Sequence, residues 1–325
     1  TTYTYIIISM FLDPNLRYQY EVDSTGESHL VDSWVKVSDL ADSARYNPAA
    51  NVYHLFTRLN PNTSQPLLIN STGLLQMTNY NNRRRTIVLI HGWRDSATSD
   101  FNAVLVPAFL AAEDVNVIVV DWSAGSDTIN YPAAVTNTVT SGRGVAAFIN
   151  WLNEASGSTP VQYHIVGHGL GGHQAGIVSR NVRGNVTYVT GLDPSLIGWL
   201  TNDERFQADD GSYTEVIHTN CGVNGFVSDL AQVDFYPNGG ESMPGCNSHA
   251  CDHARSFFYF AESIRTGGFT GRQCVNYIAA LLHRCNILPG RLRMGGLTPK
   301  LGALISRLSR SKIQKNARSP LTSAF

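Results

Sequence analysis

The residues best suited to chemistry lie in four short stretches. Val161 to Ile177, "VQYHIVGHGLGGHQAGI", reads as a buried strand, a glycine-rich turn and a helix. An elbow of the form G-x-S-x-G presents a serine nucleophile for acyl transfer, and its flanking glycines let strand and helix approach. Gly167, His168, Gly169, Leu170 and Gly171 keep both flanks but place glycine where the serine would stand. "VTGLDPS" (189–195) sets Asp193 just past the next strand, and "CDHARSFFYFAES" (251–263) sets His253 beyond the last strand. Nucleophile, acid and histidine in that chain order are the parts of a triad built on such an elbow. "IHGW" (90–93) follows an earlier strand, where a backbone N–H completes an oxyanion hole with the residue after the nucleophile. Gly167, Gly169 and Gly172 also satisfy G-x-G-x-x-G, with Asp193 at a tolerable distance. A dinucleotide cradle belongs on the first strand of its unit, whereas this turn follows the third of five.

Without a hydroxyl at position 169, His253 has no proton to remove and Asp193 orients an idle imidazole. In a comparable triad, losing the serine costs about a millionfold in turnover. Ser179 lies nearly three helical turns beyond the elbow, and His168 is expected to project elsewhere. Glycine also relieves the elbow's unfavourable backbone angles, which store about 1–3 kcal/mol with a side chain present. The expectation is a pseudoenzyme in which Asp193 and His253 persist as a buried hydrogen-bonded pair.

Short β-branched runs at 85–93, 115–123, 161–169, 186–193 and 214–220 have the continuous apolar character of strands buried on both faces. Helical spacing fills 101–114, 141–156 and 170–182, so the pattern predicts an α/β class with a mostly parallel sheet. In such sheets the site lies at the carboxyl ends of the strands, where His91 to Trp93, Gly169, Asp193 and His218 fall. "HLVDSWVKV" (29–37) and "NVYHLFTRL" (51–59) are expected to add antiparallel strands at one edge. The opening "TTYTYIIISMFLDP" reads as an edge strand or a processed leader, and no run is long enough for a membrane span.

The net charge of −1 conceals an asymmetry: the last forty residues hold eight basic and no acidic groups. Leu301, Leu304, Ile305 and Leu308 fall on one helical face among basic residues, for docking on the acidic body or on an anionic surface. The basic residues are too few, and too free of interleaved aromatics, for nucleic acid. Five cysteines and three sequons, at Asn62, Asn70 and Asn185, point to a secreted glycoprotein. Cys221 reads either as a buried small hydrophobe or as an intermolecular bridge.

"TIVLIHGW", "VIVVDWS", "VQYHIVGHGLGG", "VTGLDPS", "EVIHTN", "DFYPNGGESMPGC" and "CDHARSFFYFAESI" together resemble the animal pancreatic-type lipases. Within them the likeness is to the insect branch of phospholipases A1 and yolk-type relatives. The resemblance implies an α/β-hydrolase fold over residues 1–285, followed by a basic extension at 286–325 with no C-terminal β-sandwich domain. It implies a degenerate triad at Gly169, Asp193 and His253, oxyanion donors from the backbones of Trp93 and Leu170, and disulfides Cys246–Cys251 and Cys274–Cys285. Only "NSHA" (247–250) stands where the family carries its lid, leaving either an open apolar trough or a groove filled by side chains. Relatives with glycine at the elbow are yolk proteins, so the resemblance implies an egg storage protein without cofactor or metal. Its implied partners are a lipid or small lipophile and an uptake receptor. The alternative is a phospholipase A1 or triacylglycerol lipase silenced by replacing its serine with Gly169.

Overall fold

The computed structural model describes residues 18–23, 26–32, 46–285, 287–300 and 317–319. Five runs of the sequence form its central strands: β5 (Thr86–Ile90), β6 (Asn116–Asp121), β7 (Tyr163–His168), β8 (Tyr188–Leu192) and β9 (Tyr213–Ile217). Almost every residue in them is buried, because helices cover both faces of the sheet. These are α1 (Asp100–Ala112), α2 (Tyr131–Ser156), α3 (Leu170–Asn181) and α4 (His249–Thr266). Alternate residues of β5 separate the two cores. Val88 and Ile90 join Val145, Ile149 and Ile177 of α2 and α3, while Ile87 and Leu89 join Leu105, Phe109 and Phe260 of α1 and α4.

Four further strands complete the nine-stranded sheet: β3 (Val52–Phe56), β4 (Gln65–Leu67), β10 (Val233–Phe235) and β13 (Ala317–Ser319). The order is β13-β10-β9-β8-β7-β5-β6-β3-β4, parallel throughout except for antiparallel β3 and β4 at one edge. This is the expected α/β-hydrolase arrangement. The piece at 51–59 takes the edge position expected of it; of the piece at 29–37 only residues 29–32 are described, and they lie elsewhere. Instead β2 (Ser28–Asp32) pairs with β1 (Tyr18–Val22) in a separate hairpin, with Tyr20 opposite Leu30.

Helix α2 begins ten residues before the stretch with clear helical spacing. Its first turns hold Val135, Thr136, Thr138, Val139 and Thr140, whose branched Cβ atoms lower helix propensity. Tertiary packing, with Tyr131 and Val135 against Trp93 and Gly198, overrides that preference, and the ends are well signalled by Asn130, which caps Ala133 N, and by left-handed Gly157.

The extension expected after residue 285 is joined to the body. Strand β12 (Arg291–Met294) pairs with β11 (Phe269–Arg272), and Lys300 Nζ reaches the fully buried Glu215 carboxylate at 2.7 Å. Tyr188 and Tyr213 donate to the same carboxylate at 2.6 and 3.0 Å. Removing one partner of such a pair strands the other charge, so Lys300→Met is expected to cost about 3–5 kcal/mol in denaturant unfolding. An unchanged midpoint would contradict this role. The helical face at Leu301, Leu304, Ile305 and Leu308 lies outside the described residues.

Cys246–Cys251 and Cys274–Cys285 are bonded, and Cys221 is free and buried. Asn62, Asn70 and Asn185 are exposed. Among the described residues no helix is long and apolar enough to cross a membrane.

Candidate active site

The elbow is built by close backbone approach. A Cβ on Gly167 would lie 1.8 Å from Gly171 O, and one on Gly171 would lie 2.2 Å from Ile90 O. Only glycine permits β7, β5 and the first turn of α3 to meet there. Gly169 between them has φ 57° and ψ −119°, a sparsely populated region that strains any residue with a side chain.

Asp193 follows β8 and is completely buried. Its Oδ1 accepts the backbone N–H groups of Thr219 (2.8 Å) and Asn220 (3.1 Å). Its Oδ2 lies 2.6 Å from Nδ1 of His253, which sits on the second turn of α4. That contact fixes the ring so that Nε2 faces the elbow, 3.1 Å from where a Cβ at position 169 would be. Among the described residues the N–H groups of Trp93 and Leu170 have no acceptor. Trp93 is held by Nε1 donating to Thr128 O at 2.7 Å and by edge contacts with Tyr131 and His29. The structure thus brings Gly169, Asp193, His253, Trp93 and Leu170 together. It also inserts a sixth parallel strand, β10, between β9 and the histidine, which the sequence pattern did not reveal.

Three neighbours of the site were not anticipated. Ser195 Oγ lies 3.5 Å from the same vacant Cβ position. His168 does not project elsewhere: it lines the cleft with its ring 4.3 Å from that of His253, and burial among Phe101 and Phe257 keeps it neutral. Asp95, two residues after Trp93, is the third. Positions two residues past Trp93 and Asp193, at the carboxyl ends of strands, were the available signal for Asp95 and Ser195. Cys221 supplies no replacement nucleophile, since burial and nearby carboxylates push its thiol well above the usual range.

The cleft has a volume of about 290 Å³ and an apolar wall that includes Trp93, Phe101, Tyr131, Leu170 and Phe257. Only Asn247 to Ala250 stand between the half-cystines, and among the described residues the trough is open rather than filled. The arrangement orients His253 Nε2 toward Gly169, and among the described residues no hydroxyl is hydrogen-bonded to that nitrogen, with Ser195 Oγ 3.5 Å from the vacant Cβ position.

The family model described as Lipase matches residues 22–317. Pancreatic triacylglycerol lipase of Oryctolagus cuniculus is 33% identical over 260 residues, covering 71% of this chain and 55% of the relative. The Homo sapiens enzyme of the same name is 32% identical over 282 residues, covering 78% and 59%. Lipase member H-A of Xenopus laevis is 33% identical over 287 residues, covering 83% and 60%. The chain therefore spans under two thirds of the length of these relatives.

Proposed function

This chain belongs to the lipase family, and from that premise we propose that it is a secreted, catalytically silent lipase-like protein that binds a small lipophile and serves as an egg or yolk storage protein. The observation that carries the silent reading is that His253 Nε2, held by Asp193, faces Gly169 and no hydroxyl bonded to it. Removing the nucleophile removes the covalent route, and the oxyanion donors alone sustain a residual too slow for a hydrolase. Two disulfides support an oxidising compartment. The storage role rests on the likeness to glycine-elbow yolk proteins, and the open apolar cleft supports binding of a lipophile.

Purified protein is expected to release no fatty acid from phosphatidylcholine or trioleoylglycerol above the rate of a His253→Ala variant. Turnover that His253→Ala abolishes would sink this reading. Absence of the protein from eggs would remove the storage role. One observation favours a second reading: acid, base and oxyanion donors are otherwise complete, as in a phospholipase A1 or triacylglycerol lipase silenced at a single position. Reading codon 169 in the source transcript separates the two.

A further inference from the structure

The cleft holds two buried polar groups that the silent triad does not use. Asp95 is 6% exposed, faces the cleft and has no hydrogen-bond partner among the described residues. His168 is 7% exposed, and its Nδ1 is likewise without a partner. Its Nε2 lies 3.4 Å from His253 O, a carbonyl that also accepts from Ser256 Oγ at 2.8 Å, and the tautomer that donates from Nε2 leaves Nδ1 as an acceptor. A buried ring nitrogen such as His168 Nδ1 is rarely left unsatisfied, because desolvation without a partner is costly, whereas the Asp95 carboxylate opens onto the cleft.

The two atoms converge on one spot. Gly92, immediately before Trp93, has no side chain, and a Cβ there would lie 3.3 Å from His168 O, 3.4 Å from His168 Nδ1 and 3.7 Å from Asp95 Oδ2. The missing Cβ keeps the gap between the acceptors open beside the Trp93 N–H. Both groups accept and neither offers a proton in these states, so the complementary ligand atom is an O–H or N–H donor.

The surrounding charge narrows the ligand. Asp23 and Asp100 line the same cleft, and among the described residues no Lys or Arg does. Asp23 is engaged by Arg94 Nη1 at 2.5 Å and by His29 Nε2 at 2.7 Å, whereas Asp95 has no such counter-charge. An anionic head group would meet Asp95 with nothing on that wall to offset it.

We propose that Asp95 and His168 form an acceptor subsite that holds a hydroxyl of a neutral lipophile and turns away anionic head groups. This rests on the reading of the cleft as a binding site and names the class of ligand it takes. The apolar body lies along Phe101 and Phe257, and the hydroxyl enters the gap at Gly92.

The test uses the full chain and three probes with one C18 chain: 1-O-oleylglycerol, oleate and oleyl methyl ether, titrated calorimetrically. The glycerol ether is expected to bind at least about tenfold more tightly than either of the others, the worth of one hydrogen bond to a charged group. Asp95→Asn keeps the shape and removes the charge, so it weakens the glycerol ether and strengthens oleate. His168→Phe keeps the ring packing and removes one acceptor, so it weakens the glycerol ether without strengthening oleate. Oleate binding as tightly as the glycerol ether, both variants moving all three probes alike, or no probe binding at all would each overturn the subsite. Hydrolysis of the ester 1-oleoylglycerol by the unmodified chain would overturn the silent reading instead, and the ether series, which cannot be hydrolysed, would still decide the subsite.

Discussion

Gly169→Ser is expected to convert this protein into an ester hydrolase, raising turnover of p-nitrophenyl butyrate by at least about a thousandfold, toward the roughly millionfold effect of a triad serine. The remaining parts are in place. Asp193 Oδ2 holds His253 Nδ1 at 2.6 Å, and the N–H groups of Trp93 and Leu170 are free among the described residues. The new side chain meets two obstacles. Its Cβ would lie 3.1 Å from His253 Nε2, so the ring must retreat by a few tenths of an ångström. A φ of 57° with ψ −119° also costs a residue bearing Cβ about 1–3 kcal/mol. Gly169→Ala isolates that cost and is expected to lower stability equally without conferring activity. The gain should vanish in Gly169→Ser with His253→Ala. A folded Gly169→Ser protein that stays silent would mean that position 169 is not a nucleophile elbow.

Mild acid is expected to destabilise the fold by about 4 kcal/mol between pH 7.5 and 5.5, measured by denaturant unfolding at each pH. Three buried histidines are responsible. His173 donates Nε2–H to Ser195 O, accepts Phe206 N–H at Nδ1 and stacks on Trp199, and burial holds it down to about 3. His164, stacked 3.7 Å from Tyr188, and His168 are also held well below their ordinary value of 6.5, first by burial and then by nearby cations or His253. A depressed histidine is neutral in the fold and protonates first in the unfolded chain. Its contribution is therefore complete above 6.5 and is lost as pH falls from there toward the folded value, at up to about 1.4 kcal/mol per pH unit for each. Asp210 and Asp234, raised by burial, act in the opposite sense and blunt the loss at lower pH. His164→Gln should remove about a third of the slope, and a pH-independent midpoint would refute the assignment.

The parts of this protein legible in its sequence are those with a local signature. Strands β5 to β9 read as continuous apolar runs because both of their faces are covered, so no alternation interrupts them. The elbow was legible because the close approach at Gly167 and Gly171 excludes every other residue. Asp193 and His253 were legible from chain order and from their places after strands.

Other features depend on partners far away in the chain. The first turns of α2 are helical because Trp93 and the segment at Ile197 and Gly198 pack on Tyr131 and Val135, against the preference of their own threonines and valines. Residues 28–32 pair with 18–22 rather than with the sheet edge, a choice between two extended partners that local pattern cannot rank. Asp95 and Ser195 carry only the weak signal of lying two residues past strand-end site residues, and nothing local in the sequence turns His168, the last residue of β7, into the cleft. The sequence by itself determined an α/β-hydrolase scaffold carrying a triad without its nucleophile. Only the tertiary structure decided that, among the described residues, the cleft is open and that the Asp95 carboxylate and His168 Nδ1 have no partner there, because burial and hydrogen-bond satisfaction are set by elements that meet in space.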